Sequence, residues 1–294
     1  MVLLVVYRPH RGKQFLSHKV WLEKNAMERK IKLQWYATCG CFADDVAQLK
    51  DLLIHHQQVT VLGGDGTVNV VVNALLSGND VAHVATQKRM AILPCGTGND
   101  FARAFGYSNK QWRESVFSGF ARHVDVGKVN ARYFINMAGV GFNAEVVAAM
   151  AGKKRFGALS YTLYGIVKLL SYRGMEIMLD GNKLQIMMCL FANGRYFAAG
   201  LTPTPSAHVN SGVFQVLTIS AVSLPKRLVC FALMLVGLHT KLPWVKVSSG
   251  QCFEISTKGV SIEADGDVIA ATPAKISILA ASLRLNMPSA GEST

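Results

Sequence analysis

Residues 59–76 read VTVLGGDGTVNVVVNALL, and the order of their parts decides the fold. Val59 to Leu62 is a short apolar run, Gly63-Gly64-Asp65-Gly66-Thr67 is a turn, and Thr67 to Leu76 has the length and apolar content of a helix. Glycines between a strand and a helix let backbone N–H groups come close to a bound phosphate. A plain structural turn accounts for the glycines equally well, but gives no reason for a carboxylate among them. Asp65 repels a phosphate unless a metal ion or a protonated group lies between the two, so its presence in such a loop points towards Mg²⁺. Thr67 is expected to cap the helix that follows.

The same order recurs downstream. Met90 to Leu93 reads as a strand, Pro94-Cys95-Gly96-Thr97-Gly98 as a turn, and Asn99-Asp100 as the start of a helix reaching Phe105. Asp100 alone is an ordinary helix cap; with Asp65 it becomes a candidate for organising metal-bound water. Upstream stand the run MVLLVVY, a polar helix around Ser17 to Lys30, a strand at Ile31 to Tyr36 and a helix at Asp44 to His55. This strand-helix alternation predicts a parallel, doubly wound α/β sheet in residues 1–125, with ligands at the carboxyl ends of its strands. Neither loop has the lysine of a Walker A motif or the spacing of the dinucleotide fingerprint.

After Asp125 the pattern changes. Tyr133 to Met137, Leu184 to Phe191, Val213 to Ile219, Cys252 to Ser256 and Lys275 to Ala280 are β-rich runs, interrupted by helical stretches at Phe156 to Tyr172 and Leu224 to His239. We therefore expect a β-rich, antiparallel, sandwich-like domain over 126–280 that serves the substrate, and a first domain completed by about 281–294.

Half of the residues are hydrophobic and the formal charge is +13, which describes an ordered chain with an acidic partner: nucleotide phosphates, anionic lipid or nucleic acid. Nucleic acid is set aside, since no element interleaves basic and aromatic residues and no reader motif occurs. The basic cluster Lys153-Lys154-Arg155 suits either a solvated helix start or an anion contact. Val2 to Val6 is too short for a signal-peptide core and reads as a buried strand, and Leu228 to Leu238 is too short to span a bilayer. Six cysteines without paired spacing fit reduced thiols in a cytoplasm.

GGDGTVN at 63–69, LPCGTGNDFARAFG at 93–106 and DVGKVNARYFINMAGVGFNAEV at 125–146 together resemble the diacylglycerol kinase catalytic family, which includes sphingosine kinases and bacterial lipid kinases. The similarity continues through NGRYFAAG at 193–200 and ADGD at 264–267. GGDGT is shared with NAD kinases and phosphofructokinases; the GTGNDFAR loop favours the lipid kinases. The resemblance implies a two-domain enzyme that takes ATP with Mg²⁺ and phosphorylates a lipid hydroxyl of diacylglycerol, phosphatidylglycerol or sphingoid type at the membrane surface. It implies a nucleotide site at Gly63, Gly64, Asp65, Gly66, Thr67, Asn69, Gly96, Thr97 and Asn99, with Thr38 beside them. Asp65, Asp100, Asp125 and Arg103 fall where the family has carboxylates and a basic partner around metal and phosphates. Asp267 falls where it has a glutamate, proposed as general base, one methylene longer.

Lys13 and Lys154 are candidate phosphate contacts. A structural metal site of some members maps to His208, Ser211 and Val213, the first and last through backbone carbonyls, with Ser211 in place of an aspartate. The first loop, Arg8-Pro9-His10-Arg11-Gly12-Lys13, departs from the family's Asn-Pro-x-Ser-Gly, and Val70 stands where a glutamate is common. Those departures, with Asp267, motivate a second reading, a non-catalytic nucleotide- or lipid-binding regulator. A third, an NAD kinase, keeps GGDGT and takes a soluble dinucleotide.

Overall fold

The computed structural model describes residues 2–9, 12–77, 87–150, 165, 168–198 and 200–289. Lys153, Lys154 and Arg155, and most of the helix expected at Phe156 to Tyr172, lie outside them. The chain divides into two compact units: Met1–Val126 with Ala280–Thr294, and Gly127–Leu279.

In the first unit, β1 (Val2–Tyr7), β2 (Lys32–Ala37), β3 (Gln58–Gly63) and β4 (Arg89–Pro94) pair in parallel in the order β2-β1-β3-β4. The end of the last strand, β15 (Ala274–Asn286), runs parallel to β4 through Arg284 and Leu285. β3 is buried along its whole length, as a central strand covered on both faces must be. The described helices are α1 (Lys13–Glu28), α2 (Phe42–Ile54), α3 (Asp65–Leu76), α4 (Asp100–Arg103) and α5 (Asn109–Val116). Leu3, Val5, Leu62 and Leu93 of the sheet meet Phe15 and Leu22 of α1 in one core cluster. Parallel pairing sends the loops after β1, β2, β3 and β4 to one end of this sheet.

In the second unit the strands are antiparallel. β7 (Met137–Gly141) lies between β9 (Asn182–Ala192) and β13 (Ser261–Ala264), which forms a hairpin with β14 (Asp267–Ala271). β9 also pairs with β8 (Met175–Leu179) and with β10 (Phe214–Ser220), and β10 pairs in turn with β11 (Val245–Gly250). β12 (Cys252–Ile255) joins β8 to the first half of β15, and β5 (Ala121–Val129) pairs with β6 (Arg132–Phe134).

Side chains alternate across a strand, so β9 serves two cores. Cys189 and Phe191 join a cluster with Val140, Phe214 and Ile276, a sandwich interior. Met188, Leu190 and Ala192 face the other way, onto α6 (Phe142–Met150) and α7 (Leu224–Met234), through Phe142, Val146, Cys230 and Met234. No described helix is long and apolar enough to cross a membrane.

Candidate active site

The two glycine loops of the first unit touch. A Cβ on Gly96 would sit 2.5 Å from the Gly64 Cα, and one on Gly64 would sit 2.8 Å from the Gly96 Cα. Asn99 closes the second loop: its Oδ1 accepts the Gly96 N–H at 2.8 Å and its Nδ2 donates to the Gly96 carbonyl at 2.9 Å. It does so from a left-handed conformation, φ 52°, which asparagine tolerates better than most residues.

Both capping expectations need correction. Helix α3 begins at Asp65, with Gly64 as its cap residue, and Thr67 is buried inside the first turn beneath Gly63. Asp100 does not cap α4. The Asp65 carboxylate does so from the other loop, with Oδ2 accepting the Asp100 N–H at 3.0 Å and Oδ1 the Phe101 N–H at 2.9 Å. One carboxylate therefore satisfies two amide groups that the start of a helix leaves unpaired.

The Arg103 Nη2 donates to the Gly98 carbonyl at 3.2 Å, and its Nε lies 3.9 Å from Asp100 Oδ1. Asp65, Asp100 and Arg103 are thus brought together around the two loops. Thr97 is exposed at the tip of the second loop and Gly66 is exposed in the first. Asn69 is buried in α3 and accepts from the Asn73 Nδ2. Thr38 follows β2 and donates its N–H to the Tyr7 carbonyl. Lys13 is exposed as the first residue of α1. Asp125 is buried, and its Oδ1 accepts the Ala281 N–H at 2.8 Å, bracing β15 where Ala281 takes φ 52°.

Among the described residues no three His, Cys, Asp or Glu side chains cluster as a metal cage. Mg²⁺ does not require one, since it is held by one or two carboxylates plus substrate phosphates. Asp65 and Asp100 fit that requirement. A carboxylate has about four lone-pair sites, and the two amides use one on each oxygen of Asp65.

The loop at His208, Ser211 and Val213 is hydrogen-bonded within itself. The Ser211 N–H donates to the His208 carbonyl at 3.2 Å and its hydroxyl to the Val213 carbonyl at 2.8 Å. The turn closes on itself without an anionic ligand among these three residues.

In the second unit Asp267 is the exposed first residue of β14, and its charge favours the charged form of the nearby, partly desolvated Arg132. The turn before it is firmly held. Asp265 accepts the backbone N–H groups of Ile135, Asn136 and Met137 at 2.7, 2.9 and 3.3 Å. Asn193, of the NGRYFAAG run, donates to the Ile135 carbonyl at 2.8 Å.

Two residues that sequence reasoning passed over stand beside this hairpin. Glu263 is fully buried, and burial pushes its carboxyl up to about 7, against the hydrogen bonds from Gly266 and Asn143. Asn143 of α6 donates to Glu263 Oε2 at 2.8 Å. An acidic residue at an interior-facing position of a β run was the available signal for Glu263.

A cavity of about 470 Å³ lies in this unit, lined by Phe142, Val146, Met188, Leu190, Phe231 and Leu235 among others. Asn143 supplies the polar side chain in its described lining.

A parallel α/β unit with two glycine loops at its strand ends, together with an antiparallel β unit, makes a two-unit α/β-plus-β architecture. The diacylglycerol kinase catalytic domain model matches residues 2–129. The YegS C-terminal NAD kinase beta sandwich-like domain model matches residues 136–287, over half of the chain. The chain belongs to the diacylglycerol kinase catalytic family, a family of lipid kinases. It is 28% identical over 274 residues to the diacylglycerol kinase of Bacillus subtilis, covering 87% of this chain and 88% of that one. It is 29% identical over 290 residues to a Pseudomonas syringae protein named "Probable lipid kinase YegS-like", covering 91% and 90%. The crystal structure of a diacylglycerol kinase from Bacillus anthracis shares the fold, with a TM-score of 0.72 at 18% identity over 99% of this chain and 98% of that one.

The touching glycines give a direct test of the first unit. Gly96→Ala must push backbone from backbone, and is expected to cost about 1–3 kcal/mol of stability in denaturant unfolding. A Cβ on Gly66 would meet nothing within 4 Å. Gly66→Ala is therefore expected to keep or slightly raise stability. If phosphate approaches there, the same change weakens ATP binding about tenfold in calorimetry.

Proposed function

We propose that this protein is an ATP-dependent, Mg²⁺-requiring kinase that transfers the γ-phosphoryl group to the hydroxyl of a membrane lipid. The cavity of the second unit carries this reading. A space of about 470 Å³ whose described lining is apolar apart from Asn143 suits an alkyl chain and does not suit a charged dinucleotide. That sets the lipid kinase ahead of the NAD kinase.

In this reading the backbone around Gly64, Gly66 and Thr97 holds the phosphates, with Thr38 and Asn69 framing the nucleotide. Asp65 and Asp100 would hold the Mg²⁺ that arrives with the nucleotide, and Arg103 adds to the charge neutralisation it would supply at the phosphate oxygens. Asp267 accepts the proton of the lipid hydroxyl as it attacks, the role a carboxylate fills in phosphoryl transfer. Positioning and electrostatics supply most of the acceleration in such reactions.

Leu228, Val229, Leu235, Val236 and Leu238 are exposed on and just after α7, and Leu235 also lines the cavity. This apolar strip supports peripheral contact with a bilayer, from which a lipid chain enters the cavity. The six cysteines are free, in keeping with a reducing, cytoplasmic compartment.

The test is transfer of ³²P from ATP into a total lipid extract with Mg²⁺, run beside Ala232→Trp. Ala232 is an exposed cavity-lining residue, so an indole there fills the chain site. The native protein is expected to label a lipid; the variant loses at least about tenfold of the label while ATP binding is unchanged. No lipid label, or label appearing only with NAD as acceptor, overturns the proposal.

A further inference from the structure

The turn that presents Asp267 has two central residues, Asp265 and Gly266, both in the left-handed region at φ 48° and 87°. That is the geometry of a tight hairpin, closed here by the Ala264–Asp267 pair. The two central amides lie outside the ladder and need partners elsewhere. The Asp265 N–H donates to the Met137 carbonyl at 3.2 Å. The Gly266 N–H, in the residue just before Asp267, donates to Glu263 Oε1 at 2.8 Å. Glu263 Oε2 accepts from the Asn143 side chain at 2.8 Å, so one carboxylate ties the second half of the turn to α6. The pairing of β13 with β14 also shifts between Ile262 and Glu263, leaving Ile269 as an extra residue in β14, a bulge of the kind that re-aims nearby side chains.

A carboxylate is a costly group for holding a peptide N–H. Glu263 is fully buried, and burial lifts its carboxyl from 4.5 to about 7. Asp265 in the turn and Asp267 on β14 push in the same direction. β7, paired with β13, has no ionisable residue, and Glu145, the ionisable residue of α6, is exposed and paired with Lys168 at 2.9 Å. A neutral side chain would avoid the buried charge. What the charge adds is a side chain that only accepts, matched to two donors; once protonated, it sets an O–H against one of them.

We infer that Glu263 is a positioning residue for phosphoryl transfer, which holds the Gly266 N–H against α6 and thereby fixes where Asp267 presents its carboxylate. This rests on the reading of Asp267 as proton acceptor and deepens it. Glu263 itself is sealed from any ligand and acts through the backbone. A displacement of about 1 Å in a positioned group costs up to about 10²-fold in rate. The direction with pH follows from the two forms. As pH rises through about 7 Glu263 ionises, both N–H groups are met and the rate increases, while stability falls, because a carboxyl held above its unfolded value is destabilising when charged.

The test is the initial rate of ³²P transfer from ATP into a total lipid extract with Mg²⁺, between about pH 6 and about pH 8, for the native protein, Glu263→Gln and Glu263→Leu. The native rate is expected to fall about fivefold or more from the alkaline to the acid end. Glu263→Gln imitates the protonated side chain, so its rate should be flat over that range and within about twofold of the native acid-end rate, with KM for ATP within about twofold of native. Denaturant unfolding at the alkaline end should find this variant at least as stable as the native protein. Glu263→Leu, with no acceptor for Gly266, should lose about tenfold or more of the alkaline rate; Glu263→Gln carries the test by itself if the leucine variant fails to fold.

A Glu263→Gln protein that keeps the native pH dependence, that stays within about twofold of the native alkaline rate, or that loses stability along with activity overturns the inference. Asp267→Asn, run alongside, separates the two levels. If it is slow while Glu263→Gln behaves as native, only the Glu263 assignment fails. If Asp267→Asn is as fast as native, or the native protein labels no lipid, the underlying reading fails and the inference with it.

Discussion

Asp65→Ala is expected to lower the rate of lipid phosphorylation by a factor of about 10³ or more, and to destabilise the first unit at the same time. Two separate causes are at work. The carboxylate accepts the N–H groups of Asp100 and Phe101, so its removal leaves the start of α4 uncapped and frees the second glycine loop from the first. Loss of a helix cap costs about 1–2 kcal/mol. The larger effect comes from charge: a preorganised group that helps hold positive charge against the transferring phosphoryl is worth about 10²–10³ in rate by itself, and misplacement of Asp100 and Arg103 adds to it.

Asp65→Asn sorts the two causes. Its oxygen can still accept one of the two amide groups, while its amino end opposes the other, so stability should fall by less than in the alanine variant. The rate should fall nearly as far. Denaturant unfolding, ATP binding and initial rates on one lipid measure all three effects. A rate within tenfold of native in both variants would remove Asp65 from the chemistry and leave it a structural cap.

That double duty could not be read from the sequence, and the reason is physical. A helix cap is searched for next to the helix, whereas here the acceptor lies 35 residues upstream. The alternation that predicted the parallel sheet is local by contrast: β1, β3 and β4 are mostly apolar runs, with Thr60 the polar residue inside β3, because neighbours cover both faces, and the glycines between strand and helix stand out against them. Helix α5 was missed although its signal was present. Ser108 and Gln111 form a capping box around Asn109-Lys110, a three-residue spacing that marks a helix start.

The second half was legible in class and less so in detail. Its β-rich runs gave antiparallel sheet, but strand partners far apart in sequence, such as β7 with β13, depend on packing that no single run encodes. The motif-bearing residues also divided in a way that spacing alone does not show. Asp265 and Asn193 hold the Ile135–Met137 backbone, and Asp125 braces β15, so three conspicuous polar residues do structural work. Glu263 and Asn143, which carry no signature of their own, meet only because α6 packs across β13.

Asp267 stands exposed beside a firmly anchored turn, and it gives the second large prediction. The hairpin turn before it is pinned by three amide hydrogen bonds to Asp265, so the backbone that presents the carboxylate is rigid while the side chain itself is exposed. Asp267→Asn keeps size and polarity and removes the proton acceptor. It is expected to cut kcat about 10²–10⁴-fold with little change in KM for ATP, since general-base catalysis acts on the transition state and not on nucleotide binding. Asp267→Glu adds the methylene that the corresponding position has in the diacylglycerol kinase pattern. On a fixed hairpin, extra reach should keep kcat or raise it, whereas a carboxylate serving only to pair with Arg132 would lose its geometry and gain nothing. Steady-state ADP release with lipid present separates these outcomes: a slow asparagine variant beside an active glutamate variant identifies a base, and equal rates in all three proteins assign Asp267 to surface electrostatics.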